Sequence, residues 1–185
     1  MSPKFAGSDS FPSAEACDYG LRFMQEDTPH YARLKIGAST DGTGLLLRLS
    51  DCLPPPFYCL YVLVIGRGGS PAGRYQSPLL SSRAALTDFV LEYKHLLEHD
   101  GRHHLWIGTP DGSATLVYDK HNLVYAYGPL AAFRQQLLAL GYVEQAVEIP
   151  YPHAHSYAPE NDAATEELLQ YWEWQHFPLQ ETDEE

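Results

Sequence analysis

Short aromatic and β-branched runs separated by turn residues dominate residues 103–142, and they give the clearest structural statement in the chain. His-His-Leu-Trp-Ile-Gly, Ala-Thr-Leu-Val-Tyr-Asp and Leu-Val-Tyr-Ala-Tyr-Gly follow one another with connections too brief for a crossover. That spacing predicts a three-stranded antiparallel meander. Asp111-Gly112 supplies the positive-φ position of the first turn, with Pro110 ahead of it, and Asp119 and Asn122 frame the second turn at Lys120-His121. On the third strand Leu123, Tyr125 and Tyr127 share one face and Val124 and Ala126 the other. Neither face is plainly polar, which predicts a central strand.

Upstream, Tyr31, Arg33 and Lys35 alternate with Ala32, Leu34 and Ile36, a half-buried strand pattern. Thr40-Asp41-Gly42-Thr43-Gly44 reads as a turn into a second strand at 45–49, making a further hairpin. Pro54, Pro55 and Pro56 then break the chain, and 57–66 reads as a long central strand, apolar on both faces. The glycine cluster at 66–74 superficially resembles a phosphate-cradling loop, with Arg67 and Arg74 to hold an anion. It lacks the Gly-Lys-Ser/Thr ending and reads as a flexible strand-to-helix connection.

Period-3.6 patterns predict a helix over 82–99, with Leu86, Phe89, Val90, Tyr93, Leu96 and Leu97 on one side. A second helix, over 129–140, begins at Pro129 and carries Leu130, Phe133, Leu137 and Leu140. A short strand at 146–149, a proline-bounded loop at 150–159 and a third helix at 160–176 follow. The fold expected is therefore α+β, a mainly antiparallel sheet of about six strands with two amphipathic helices packed on it and a third, C-terminal helix. The domain expectation is a loose N-terminal arm at 1–19, a single domain at 20–178 and an acidic tail at 179–185.

Composition narrows function by exclusion. A formal charge of −12 over 185 residues repels polyanions, so nucleic acid is not an expected partner. The longest apolar run is about half of what a membrane-spanning helix needs, and the first residues hold no signal-peptide core. Three cysteines, Cys17, Cys52 and Cys59, without a Cys-x-x-Cys pair suit reduced thiols and a cytoplasmic location.

Nine histidines supply the candidate chemistry. His95 and His99 stand four apart on a helix, and His153 and His155 stand two apart in an extended segment, so each pair shares a face as metal ligands would. No cofactor is expected, and a divalent metal is the one that this spacing admits. The competing explanation for His95 and His99 is a favourable position in the last helical turns, where an imidazolium meets exposed carbonyls. His121 beside Asp119 has the look of a general base, but the same residues spell an ordinary turn, and no nucleophile elbow accompanies them. No catalytic residue is assigned.

Tyr151, Tyr157, Tyr171, Trp172 and Trp174 lie in the C-terminal quarter beside Glu166 and Glu167. Aromatic anchors ringed by carboxylates suit a basic protein partner. The function expected is a non-catalytic binding protein, in its sharpest form an acidic immunity- or inhibitor-type protein that masks such a partner. The alternative is a metal-dependent, hydrolase-like enzyme using the two histidine pairs.

Overall fold

Alternation of side chains along the central strands sets the architecture. A computed structural model of the chain describes residues 4–7, 17–38 and 40–183. The strands are β1 (Phe5–Gly7), β2 (Arg22–Asp27), β3 (Ala32–Gly37), β4 (Tyr58–Leu63), β5 (Gly73–Gln76), β6 (His103–Gly108), β7 (Thr115–Tyr118), β8 (Leu123–Tyr127), β9 (Val143–Glu144), β10 (His153–His155) and β11 (Gln175–Phe177). The helices are α1 (Gly42–Ser50), α2 (Arg83–Glu92), α3 (Lys94–His99), α4 (Leu130–Ala139) and α5 (Asn161–Tyr171). Nine strands form one sheet in the order β11-β5-β4-β6-β7-β8-β3-β2-β9, while β1 and β10 pair separately. Every pairing is antiparallel except β2 with β9.

The meander over β6, β7 and β8 stands as its turn chemistry requires. Gly112 has φ of 71°, and the Asp111 carboxylate accepts from the Ser113 N–H at 3.0 Å. In the next turn Asn122 takes φ of 61°, and Asp119 Oδ1 accepts from the N–H groups of His121 and Leu123, each at 2.9 Å. The Asp111 and Asp119 carboxylates thus replace backbone partners that the tight turns remove, while Asn122 supplies the positive φ and accepts from the Tyr118 hydroxyl at 2.7 Å.

Among the described residues, helices α1 to α5 bury their apolar residues against the same face of the large sheet. Leu45, Leu46 and Leu49 of α1, Phe89 of α2, Leu97 of α3, Phe133 and Leu137 of α4 and Leu168 of α5 join Leu34, Ile36, Tyr61, Leu105, Leu116 and Val124 in one core cluster. Residues of the opposite parity, such as Arg33, His104, Trp106, Val117 and Tyr125, therefore point to the face without helices. Among the described residues no helix is long and apolar enough to cross a membrane.

Several elements differ from expectation. The expected strand at 45–49 is helix α1. Asp41 caps it by accepting from the Gly44 N–H at 3.2 Å, and Leu45, Leu46 and Leu49 bury one helical side. A capping aspartate and a turn aspartate look alike in sequence. The sheet has nine strands where about six were expected: the strand at 45–49 is lost, and β2, β5, β9 and β11 are gained, the last three with only four, two and three residues. Such short segments carry too little alternation to register. The glycine cluster joins β4 to antiparallel β5 instead of leading to a helix. Gly68 takes φ of 57°, and Arg67 and Ser70 exchange backbone hydrogen bonds.

The helix expected over 82–99 breaks at Tyr93, whose φ and ψ are −100° and 15°, into α2 and α3. The C-terminal helix stops at Tyr171, and the chain continues into β11. No strand forms at 146–149. Val147 is buried instead with Phe5, Tyr19 and Leu123 in a second cluster, with Ile149 packed against it, that covers one end of the open sheet face. Within the stretch expected to be a loose arm, Phe5 is buried, Lys4 donates to the Leu97 carbonyl at 3.1 Å, and residues 1–3 and 8–16 lie outside the described set. Asp183, in the expected acidic tail, is buried in a two-pronged ion pair with Arg74.

Candidate functional site

On the face without helices, the sheet carries a cavity of about 630 Å³. Strand parity explains its floor: Arg33 from β3, His104 and Trp106 from β6, Thr115 and Val117 from β7, and Tyr125 and Tyr127 from β8. Ile149 closes one side with the segment that covers the sheet, while Thr182 and Asp183 close another. The Arg74–Asp183 pair holds that C-terminal flap in place, with Nη2 to Oδ1 at 2.9 Å.

The charged groups around this floor are already engaged. Arg33 donates from Nε to Glu26 at 2.6 Å and from Nη1 to the Tyr127 hydroxyl at 2.8 Å, and it lies over the Tyr125 ring at 4.2 Å. Asp119 Oδ2 accepts from His121 Nδ1 at 2.9 Å. Burial acts to raise the Asp119 pKa, but the His121 hydrogen bond and charge, with His104 and the Leu123 N–H, outweigh it and hold the carboxyl below its ordinary value. His104 is driven down to about 4, chiefly by burial, so its imidazole is neutral near pH 7. Its Nε2 and the Trp106 Nε1 are buried without a hydrogen-bond partner among the described residues.

Beside the cavity three histidines meet. His121 comes from the β7–β8 turn, and His153 and His155 come from the same side of β10. One ring nitrogen from each lies within 4.8 Å of the other two. Ring centroids are 5.3 Å apart for His121 and His153, 4.9 Å for His121 and His155, and 5.4 Å for His153 and His155. Phe5 packs against all three rings at 5.1–5.4 Å. His155 is lowered to about 4, first by burial and then by its neighbours His121, Lys120 and His153.

His153 and His155 therefore come together with His121 and not with His95 and His99. The latter pair stacks ring on ring at 4.6 Å on α3, and His99 Nδ1 lies 3.0 Å from the His95 carbonyl, which it satisfies near a helix end. A smaller cleft of about 390 Å³ separates that pair from residues 155–161. In the sequence His121 was legible as a turn residue and as a general-base candidate beside Asp119, not as a metal ligand. What places it in the group is the pairing of Phe5 with His155 in the β1–β10 ribbon, a contact between distant parts of the chain.

The aromatic residues of the C-terminal quarter divide. Trp172 and Trp174 are half-buried, and both pack on Phe89, at 4.2 and 5.8 Å between centroids. Trp174 Nε1 also donates to the Leu168 carbonyl at 3.0 Å. Tyr151, 92% exposed, Tyr157 and Tyr171 face solvent. Glu166 and Glu167 are exposed, and Glu166 accepts from the Gly69 N–H at 3.2 Å. Comparison of the chain with protein-family models, with curated proteins and with solved structures found no match.

Proposed function

We propose that the protein is a binding protein whose ligand is a small, flat, electrically neutral molecule held on the helix-free face of the sheet. The observation that carries this reading is the cavity of about 630 Å³ floored by aromatic side chains in which the charged groups are already engaged: Arg33 by Glu26, Asp183 by Arg74, and Asp119 by hydrogen bonds from His121 and two backbone N–H groups. Its size lies within the range of about 300–1,000 Å³ usual for small-molecule sites. Tyr31, Trp106, Tyr125 and Tyr127 offer ring faces to a planar body. Thr115, Thr182 and neutral His104 offer hydrogen bonds without charge. An ionic ligand would find its counter-charge already engaged and would lose hydration without recompense.

Nile red, neutral and planar, serves as the probe. It should bind saturably with one dye per chain and a blue-shifted emission. Val117→Trp, which fills the floor, should abolish that signal while leaving the far-UV spectrum unchanged. Absence of saturable binding, or equal binding by the Val117→Trp protein, would refute the reading.

A second reading, an acidic immunity- or inhibitor-type protein that masks a basic protein partner, is favoured by the exposure of Tyr151, Tyr157 and Tyr171 on a chain of formal charge −12. Under it, alanine at Tyr151, Tyr157 and Tyr171 together should reduce recovery of a basic protein from lysate of the source cell. Equal recovery would remove it.

A further inference from the structure

We infer that His121, His153 and His155 form a binding site for one divalent transition-metal ion of the zinc class, with all three ligating through Nε2. His121 also lines the cavity, but the inference rests on the geometry of the three rings and not on the ligand proposed there.

Hydrogen bonding at the opposite ring nitrogens assigns the ligand atoms. His121 Nδ1 lies 2.9 Å from Asp119 Oδ2, His153 Nδ1 lies 2.9 Å from the Pro150 carbonyl, and His155 Nδ1 lies 3.1 Å from the Lys120 carbonyl. A carbonyl or carboxylate oxygen can only accept, so each Nδ1 carries the hydrogen. Each Nε2 is then left with its lone pair, the form in which a neutral imidazole binds a metal. An acceptor behind every ligating histidine is the arrangement that fixes tautomer and ring orientation in metal sites. The Asp119 carboxylate is itself held by two backbone N–H groups, so it cannot swing away from His121.

The rings are also steeply inclined to one another. Their mutual interplanar angles are 87°, 65° and 79°, whereas His95 and His99 stack at 21° as two packed rings do. Three nitrogens bound to one ion at about 2.1 Å in tetrahedral geometry stand about 3.4 Å apart. In the observed group one nitrogen of each ring lies within 4.8 Å of the other two, so an ion would draw the rings somewhat closer together. All-imidazole ligation selects zinc, copper, nickel or cobalt over calcium and magnesium, which require oxygen. Three protein ligands leave a further coordination position, the pattern of zinc sites that bind a water or a small ligand.

The test uses full-length protein stripped with chelator and dialysed, titrated with Zn²⁺ and, separately, with Co²⁺. The expected result is one equivalent of Zn²⁺ per chain, a raised melting temperature and, for Co²⁺, visible absorption of the intensity that low-coordinate sites give. His153→Gln with His155→Gln should abolish all three, and His95→Gln with His99→Gln should change none. Asp119→Asn keeps an oxygen for the turn N–H groups but directs an amide donor at His121. That moves the imidazole proton to Nε2 and should weaken binding about 10–100-fold. Failure of the unmodified protein to bind Zn²⁺ at micromolar concentration would overturn the assignment. So would loss of the metal on changing His95 and His99, or its retention on changing His153 and His155. Nile red binding is read on the same preparations, so either proposal can fail while the other stands.

Discussion

Removing the carboxylate of Asp100 should cost more stability than any other single side-chain truncation outside the apolar core. Asp100 is 0% exposed and Arg102 is 2% exposed. The guanidinium donates to Asp100 from Nε at 2.9 Å and from Nη2 at 2.7 Å, and from Nη1 to Asp162 at 2.9 Å. Asn161 also donates to Asp100, at 3.3 Å. Asp100→Ala leaves a buried guanidinium whose remaining acid, Asp162, is partly open to water. Breaking a buried pair from one side costs about 3–5 kcal/mol. At about 2–4 °C per kcal/mol for a chain of this length, the melting temperature should fall by roughly 10 °C. Arg102→Met should be costly for the mirror-image reason. The double variant should lose less than the sum of the two, because it leaves no unpaired charge. Calorimetry and urea titration of all four proteins measure this. A loss below about 1 kcal/mol for Asp100→Ala, or strict additivity in the double variant, would refute the view that the network is desolvated and coupled.

Gly42 should resist substitution, because a Cβ there would stand inside the Tyr118 ring; Gly42→Ala should lose about 1–3 kcal/mol in a urea melt, with Gly112→Ala, which meets no neighbour, showing only the positive-φ penalty. Burial lowers Lys4 to about 8, so between pH 8 and the unfolded value near 10.4 the native state holds fewer protons than the unfolded one, and stability should rise from pH 8 towards pH 10. Lys4→Met should flatten that rise, and an unchanged slope would show that Lys4 is hydrated. Burial also pushes the Cys59 thiol far up, so a thiol reagent should modify half-buried Cys17 and Cys52 in native protein and reach Cys59 only after denaturation.

Legibility in the sequence followed length and locality. β6, β7 and β8 were readable because each is bounded by turn residues whose side chains do the turning. Phe89, Tyr93, Phe133 and Leu137 were readable as buried because helical spacing puts them on one stripe, and all four are buried. Helix α1 was not readable, since Asp41 ahead of two glycines is as good a turn as a cap, and only the sheet beneath Leu45 and Leu49 decides between them. β11 was hidden for a related reason: His176 stacks on Tyr75 at 4.6 Å, and that partner lies about a hundred residues away in the chain.

The histidine group shows how far local spacing can carry a site. The i, i+2 rule correctly put His153 and His155 on one side of an extended segment, because it depends only on the pleat. The i, i+4 rule put His95 and His99 on one helical side with equal geometric right, yet nothing on a neighbouring element meets them as a third ligand among the described residues. What separates the two pairs is what stands opposite. β10 pairs with β1, and Phe5 of β1 fills the space between β10 and the β7–β8 turn, so His121 is held at contact distance from both β10 rings. Phe5 thus acts as a spacer, and Phe5→Ala should let the three rings collapse or spread without removing any nitrogen. Zinc affinity in that variant should fall even though His121, His153 and His155 are all intact, while Phe5→Leu, which keeps most of the volume, should retain most of it. Equal zinc affinity in the wild-type and Phe5→Ala proteins would show that the histidines find the ion without the N-terminal strand, and the spacer role would be lost.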